Sequence, residues 1–194
     1  MNRQKVSISQ SLPITYIMYF LCYYDTMKTI VLTGMSGSGK STVGKFLAEK
    51  RKLKFIDIDE QIVLNENKSI NEIFSENGEN FFRALEVQTI KNVFEPENLV
   101  ISLGGGAFEN DRTRNFLLNN STVIYLQTSP ETIFNRLKNS TDRPLLNNNM
   151  NLSAIKKLLD LRKKNYELAH FTVITDNKNI NDLAGEILKC ANLK

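Results

Sequence analysis

From residue 27 onward the chain alternates short apolar runs with stretches in which apolar positions recur every three or four residues. The runs are TIVLT (29–33), KFID (54–57), LVISL (99–103), TVIYL (122–126) and FTVIT (171–175). Runs of this length, rich in Val, Ile and Thr, predict strands. Helical spacing predicts helices over 40–50, 81–92, 111–119, 130–138, 153–168 and 181–192. The alternation predicts an α/β domain with a mainly parallel sheet. Ligands of such sheets bind beyond the carboxyl ends of the strands. Chemistry is therefore expected just after the five runs. The polar stretch NNNMN at 147–151 is read as a loop, and no internal repeat is visible.

Residues 1–26 follow a different pattern. Arg3 and Lys5 precede LPITYIMYFLCYY, which is too short to span a bilayer comfortably and is not followed by a small-residue cleavage site. The functional domain is read as residues 27–194. The extension is expected to be a loosely attached, disordered tail or a mis-assigned start, rather than a membrane anchor.

Composition narrows the classes. The 194 residues are 41% hydrophobic and 24% charged, as in a soluble globular protein. The net charge of +4 suits acidic ligands, phosphates and carboxylates, or nucleic acid. Cys22 and Cys190 stand far apart, which supports neither a zinc site nor a disulfide framework. The one histidine, His170, is expected near a helix end, so a Ser-His-Asp or Cys-His hydrolase has little support.

The stretch GMSGSGKST (34–42) lies between the first run and the first helix. Gly34, Gly39, Lys40 and Ser41 fit the pattern G-x-x-x-x-G-K-[ST] in its proper strand–loop–helix setting. Glycines let backbone N–H groups turn inward around phosphates, and the helix start adds positive potential. The backbone of Gly37, Ser38, Gly39 and Thr42 is expected to cradle a nucleoside triphosphate. Lys40 should reach its β- and γ-phosphates, and Ser41 should bind Mg²⁺. A signalling GTPase would carry N-K-x-D, but DNKNIND (176–182) lacks the Asp at that spacing. The third run ends in Gly104–Gly106 rather than an acid, so another carboxylate must serve the metal.

Asp57 and Asp59 close the second run in FIDIDE. If the strand continues, residues two apart point the same way. Asp57 is assigned to the Mg²⁺ shell and Asp59 to an acceptor hydroxyl; the alternative is that they cap a helix starting near Glu60. Arg83 is placed in the first turns of a helix, with Glu86 three residues on as an ion-pair partner. Gly104, Gly105 and Gly106 would let a ligand lie flush with the backbone. Arg136 and Arg143 bracket a polar loop that could close over the nucleotide. Arg143, before Pro144, would stabilise charge on the moving phosphoryl group. The alternative is two solvated arginines in a mobile loop. Arg162 and Tyr166 lie one helical turn apart.

Taken in order, GMSGSGKST, FIDIDE, GENFFRALE, SLGGGA, DRPLL and LRKKNYE resemble the shikimate kinases over nearly all of 27–194. The resemblance implies a nucleoside-monophosphate-kinase-like P-loop fold: a five-stranded parallel sheet between helices, a lid and a small substrate-binding subdomain. It implies transfer of the ATP γ-phosphoryl group to the 3-hydroxyl of shikimate, with Mg²⁺. Lys40, Asp59 and Arg143 would then be catalytic, with Asp59 as the base. Ser41 and Asp57 would hold the metal, and Arg136 would flank adenine. Asp59, Arg83, Arg162 and the Gly104–Gly106 backbone would hold shikimate. A cytoplasmic monomer is expected, with a small-molecule substrate and neither nucleic acid nor membrane as partner. Ile174-Thr175 stands where family members often carry Asp-Thr, which leaves the adenine contacts of 175–180 open. The residues alone reach only an ATP-dependent kinase of a small hydroxylated, anionic acceptor. A gluconate-type sugar-acid kinase and a catalytically silent nucleotide-binding domain are the alternatives.

Overall fold

The computed structural model describes residues 28–138 and 151–192. Five parallel strands form one sheet: β1 (Ile30–Thr33), β2 (Lys54–Asp57), β3 (Leu99–Ser102), β4 (Thr122–Gln127) and β5 (Phe171–Ile174), in the order β2-β3-β1-β4-β5. The central strands are apolar without alternation because both faces are covered. In β1, Val31 points into a core shared with Ile101, Val123 and Tyr125. Ile30 and Leu32 point into the opposite core, with Val100, Ile124 and Leu126. All of these are buried. β2 and β5 are the two edges and are only partly buried; Ile174 at the end of β5 is exposed.

The helices among the described residues are α1 (Lys40–Arg51), α2 (Ile58–Glu66), α3 (Ile70–Val93), α4 (Asp111–Asn120), α5 (Pro130–Leu137), α6 (Leu152–Tyr166) and α7 (Ile180–Asn192). α1 and α7 cover one face of the sheet; α2, α3, α4 and α6 supply the other core. A third cluster, Met35, Ile133, Leu137 and Ile155, packs α5 and α6 beneath the loop after β1. None of the described helices is long and apolar enough to cross a membrane.

The expected strands recur within a residue or so, and five of the six expected helices do the same. The sixth, 81–92, is the second half of a longer helix. α3 starts at a capping box, where Ser69 accepts from Glu72 N and the Glu72 carboxylate takes Ser69 N–H. It kinks where Gly78 leaves the helical region at φ 78°. The two halves are thus separate helical runs that meet at Gly78, and Arg83, five residues on, stands in the first turns of the second, as its spacing predicts. The expectation that β2 runs on to Asp59 is corrected. α2 begins at Ile58, because Asp57 Oδ1 accepts the N–H groups of Asp59 (3.0 Å) and Glu60 (3.3 Å) and turns the chain into a helix.

β1 lies between β3 and β4 with its neighbours in register: Leu32 pairs with Ser102 and Ile124. The chain leaves β1 through α1 on one face towards β2, and leaves its neighbour β3 through α4 on the other face towards β4, so the carboxyl ends of β1 and β3 flank a topological switch point. The Gly-rich loop emerges there.

Candidate active site

The Gly34–Ser41 loop passes from β1 into α1, whose first helical residue is Lys40. Gly39 stands at the helix cap with φ 95°, a left-handed conformation that glycine adopts without strain. No side chain caps this terminus and no acid stands in the first turn, so its N–H groups face whatever the loop encloses. A helix start of this kind attracts phosphate. Lys40 is buried, and its ammonium donates to the carbonyl oxygens of Gly34 and Met35, each at 3.0 Å. The loop thus holds the positive charge at its own mouth.

A cavity of about 510 Å³ opens over this loop. Gly37–Val43 form its floor, Arg136 and Leu137 of α5 one wall, and Lys178, Ile180 and Leu183 the other. Arg136 Nη1 donates to Gly37 O at 3.0 Å, which ties α5 to the loop. The fold thus brings Arg136 to the loop. Lys178 and Ile180 fall in the 175–180 segment whose adenine contacts the sequence leaves open, while Leu183 has no signal of its own there. The rule that ligands sit beyond strand ends points to the first two, since they follow β5 directly.

Ser41 and Asp57 meet at the start of α1. Ser41 Oγ donates to Asp57 Oδ2, and Ser102 Oγ lies 3.4 Å from Ser41 Oγ. Asp57 does two jobs: one oxygen caps α2 and the other faces Ser41. Among the described residues no cluster of three or more His, Cys, Asp or Glu could hold a metal. A hydroxyl and one carboxylate oxygen beside a phosphate site are a donor set that fits Mg²⁺. That ion takes one or two protein oxygens and completes its shell with phosphate and water.

On the other side of the loop the Gly104–Gly106 turn explains its own composition. A Cβ on Gly104 would collide with Glu86 Oε1 and with Asp59 Oδ1, the latter at 2.5 Å. A Cβ on Gly106 would sit 2.6 Å from the Arg83 guanidinium, and one on Gly105 would sit 2.8 Å from Ser36 Oγ of the phosphate loop. Side chains from α2 and α3 therefore close directly over bare backbone. From α6, Arg162 Nη1 donates to Gly105 O at 3.0 Å, and the Tyr166 hydroxyl donates to the same oxygen. Arg83, Glu86, Gly106, Glu109 and Arg162 line one cavity of about 270 Å³. Arg83 and Arg162, on different helices, thus come to the glycine turn.

The charges there are unequally supported. Arg83 donates to Glu86 at 2.6 Å and to Glu79 at 2.8 Å. Burial penalises its charge, but the two carboxylates outweigh that and raise its pKa further. Glu86 is 2% exposed. Burial pushes its carboxyl up to about 7; Arg83 opposes this, and the nearby Asp59 charge adds to it. From the sequence Glu86 was only an ion-pair partner for Arg83. Its approach to Gly104 and Asp59 is a tertiary contact with no local signal.

Two further expectations have plain outcomes. His170 lies between α6 and β5 and its Nδ1 accepts from Val123 N at 3.0 Å, a structural bond away from both cavities. Arg143 lies outside the described residues.

Comparison with known proteins agrees with this geometry. A family model described as "Shikimate kinase" matches residues 36–192. A shikimate kinase of Chlorobaculum parvum is 42% identical over 168 residues, covering 82% of this chain and 90% of its own. One from a Sulfurihydrogenibium species is 44% identical over 162 residues, covering 84% and 96%. Among solved structures, the shikimate kinase of Acinetobacter baumannii in complex with shikimate matches with a TM-score of 0.82 and 34% identity, over 87% of this chain and 94% of its own. A gluconokinase of Sinorhizobium meliloti reaches 0.56 at 20% identity, over 86% and 92%, a likeness of fold alone.

Proposed function

The chain belongs to the shikimate kinase family, and from that membership we propose how its residues transfer the ATP γ-phosphoryl group to the 3-hydroxyl of shikimate. The observation that carries the reading is the meeting of two sites across one loop. The cavity over Gly37–Val43 takes the nucleotide, and the cavity lined by Arg83 and Arg162 takes the acceptor. Ser36 lies against Gly105, so the triphosphate end and the acceptor face each other across the phosphate loop.

Lys40 leaves its two loop carbonyls to hold the β- and γ-phosphates, while the N–H groups of α1 receive the same oxygens. Ser41 and Asp57 would hold Mg²⁺, which when bound would neutralise charge on the phosphates. Asp59 orients the acceptor hydroxyl and accepts its proton. Arg83 and Arg162 clamp the acceptor carboxylate, and Gly104–Gly106 let the ring lie flush. The catalytic domain is taken to span 27–194, with β1 opening three residues after Met27.

The direct test is an ADP-release assay with shikimate, with gluconate and with no acceptor. Turnover should require shikimate. Equal turnover with gluconate, or none with any acceptor, would replace this reading with a sugar-acid kinase or a silent nucleotide-binding domain.

The clamp makes its own prediction. A guanidinium offers two parallel donors that match a carboxylate, and lysine cannot reproduce the fork. Arg162→Lys should raise the KM for shikimate roughly 10- to 150-fold, the equivalent of about 1.5–3 kcal/mol for a charged hydrogen bond. Arg83→Lys should act likewise, while the KM for ATP stays within about two-fold in either variant. An analogue with an amide for the carboxylate should be poor for the parent and lose far less in the variants. Normal shikimate binding in both variants would remove the clamp.

A further inference from the structure

The two walls of the nucleotide cavity come from distant parts of the chain. One is α5 with Arg136 and Leu137; the other is the segment after β5 with Lys178 and Ile180. Asp176 joins them. Its Oδ2 accepts from Ser129 N at 2.9 Å, and its Oδ1 accepts from Ser129 Oγ at 2.7 Å and from Thr132 Oγ1 at 2.5 Å. All three donors belong to the cap and first turn of α5. Just inside them, the hydroxyls of Thr128 and Thr175 meet at 2.6 Å and close the same seam.

Burial opposes the Asp176 charge, but the bonds from Thr132 and Ser129 and the charge of Arg136 outweigh it and hold the carboxyl below its ordinary value. The carboxylate therefore stays a full acceptor for its three donors.

Ser129, Thr132 and Arg136 are spaced three and four apart, on one face of α5. The helix is gripped at its start by Asp176 and, about 10 Å further along, by the bond from Arg136 to Gly37 O. With its first turn held by a two-oxygen acceptor, α5 cannot rotate about its axis without breaking charged hydrogen bonds. Its rotation decides where Arg136 stands over the cavity.

We propose that Asp176 is a positioning residue for the nucleotide: it fixes α5 against the β5–α7 segment and so sets Arg136 over the base-side wall of the cavity. It touches no substrate. The inference rests on the reading that this cavity takes ATP.

The test is steady-state kinetics on the full chain with both substrates varied. Asp176→Ala should raise the KM for ATP about ten-fold while the KM for shikimate and kcat change less than about three-fold, because only one site is displaced. The unchanged acceptor KM also reports that the variant is folded. Asp176→Asn keeps the tie, since the two hydroxyls can turn to accept from the amide, so its KM for ATP should stay within about three-fold of the parent. In an Arg136→Ala background, Asp176→Ala should add less than about two-fold, since residues acting through one contact are not additive. Equal rises in both KM values, full additivity with Arg136→Ala, or an unchanged KM for ATP in Asp176→Ala would each overturn the proposal. If Arg136→Ala raises the KM for ATP and Asp176→Ala does not, this inference alone fails. If Arg136→Ala is itself without effect, the assignment of Arg136 to the nucleotide fails with it.

Discussion

Lys40→Ala should lower turnover by about 100-fold or more at saturating ATP, the scale of loss when a preorganised electrostatic contact to the reacting group is removed. The lysine is buried, and its ammonium already sits on the carbonyls of Gly34 and Met35. Little reorganisation is needed to bring that charge onto the β- and γ-phosphates. Alanine is the best helix former, so the start of α1 at position 40 should survive the change. A thermal midpoint close to the parent's, with the acceptor KM unmoved, would show that the fold is kept. Near-normal turnover would mean that phosphoryl transfer does not occur at this loop.

Asp59→Asn should show the second large effect, a fall in turnover of roughly 10²- to 10⁴-fold, the usual range for a positioned general base. The KM for ATP should hardly change, because Asp59 faces Gly104 on the acceptor side of the loop. The phosphoryl-transfer transition state is loose, so part of this loss will be misplacement of the hydroxyl rather than the missing base. The structure makes the substitution a clean one. Asp57, not Asp59, caps α2, so asparagine at 59 leaves the helix start intact. It also removes a like charge beside Glu86, which should let the Glu86 carboxyl ionise more easily. Full activity would leave Asp59 without a part in the reaction.

The parts of this protein that could be read in advance are those written in local pattern. The three central strands announce themselves by short apolar runs, because a strand covered on both faces must be apolar throughout, while the edge strands β2 and β5 carry polar or exposed positions. The phosphate loop is legible for the same kind of reason: its glycines, lysine and serine act within a few residues of one another. What escaped was either weakly patterned or distant. The first half of α3, INEIFSEN, is only about two turns long before Gly78; its capping box and the spacing of Ile70, Ile73 and Phe74 mark a helix too short to stand out. The continuation of β2 to Asp59 was a fair reading of alternation, yet the hydrogen bonds of Asp57 ended the strand.

By itself the sequence determined the α/β class, the five strands, the phosphate loop and the ordered set of motifs that marks the family. Only the tertiary structure decided which of those motifs share a site. The strand order β2-β3-β1-β4-β5 puts the end of β3 beside the end of β1, and this is why a glycine turn at 104–106 meets Ser36 of the loop. Asp59, Glu86 and Arg83 can converge there because Gly104 and Gly106 carry no Cβ, which would collide with them. Asp176 reaches Ser129 and Thr132 because β4 and β5 are neighbours in register. Contacts between residues tens of positions apart leave no period in the chain. They exist only once burial of both sheet faces has fixed the order of the strands.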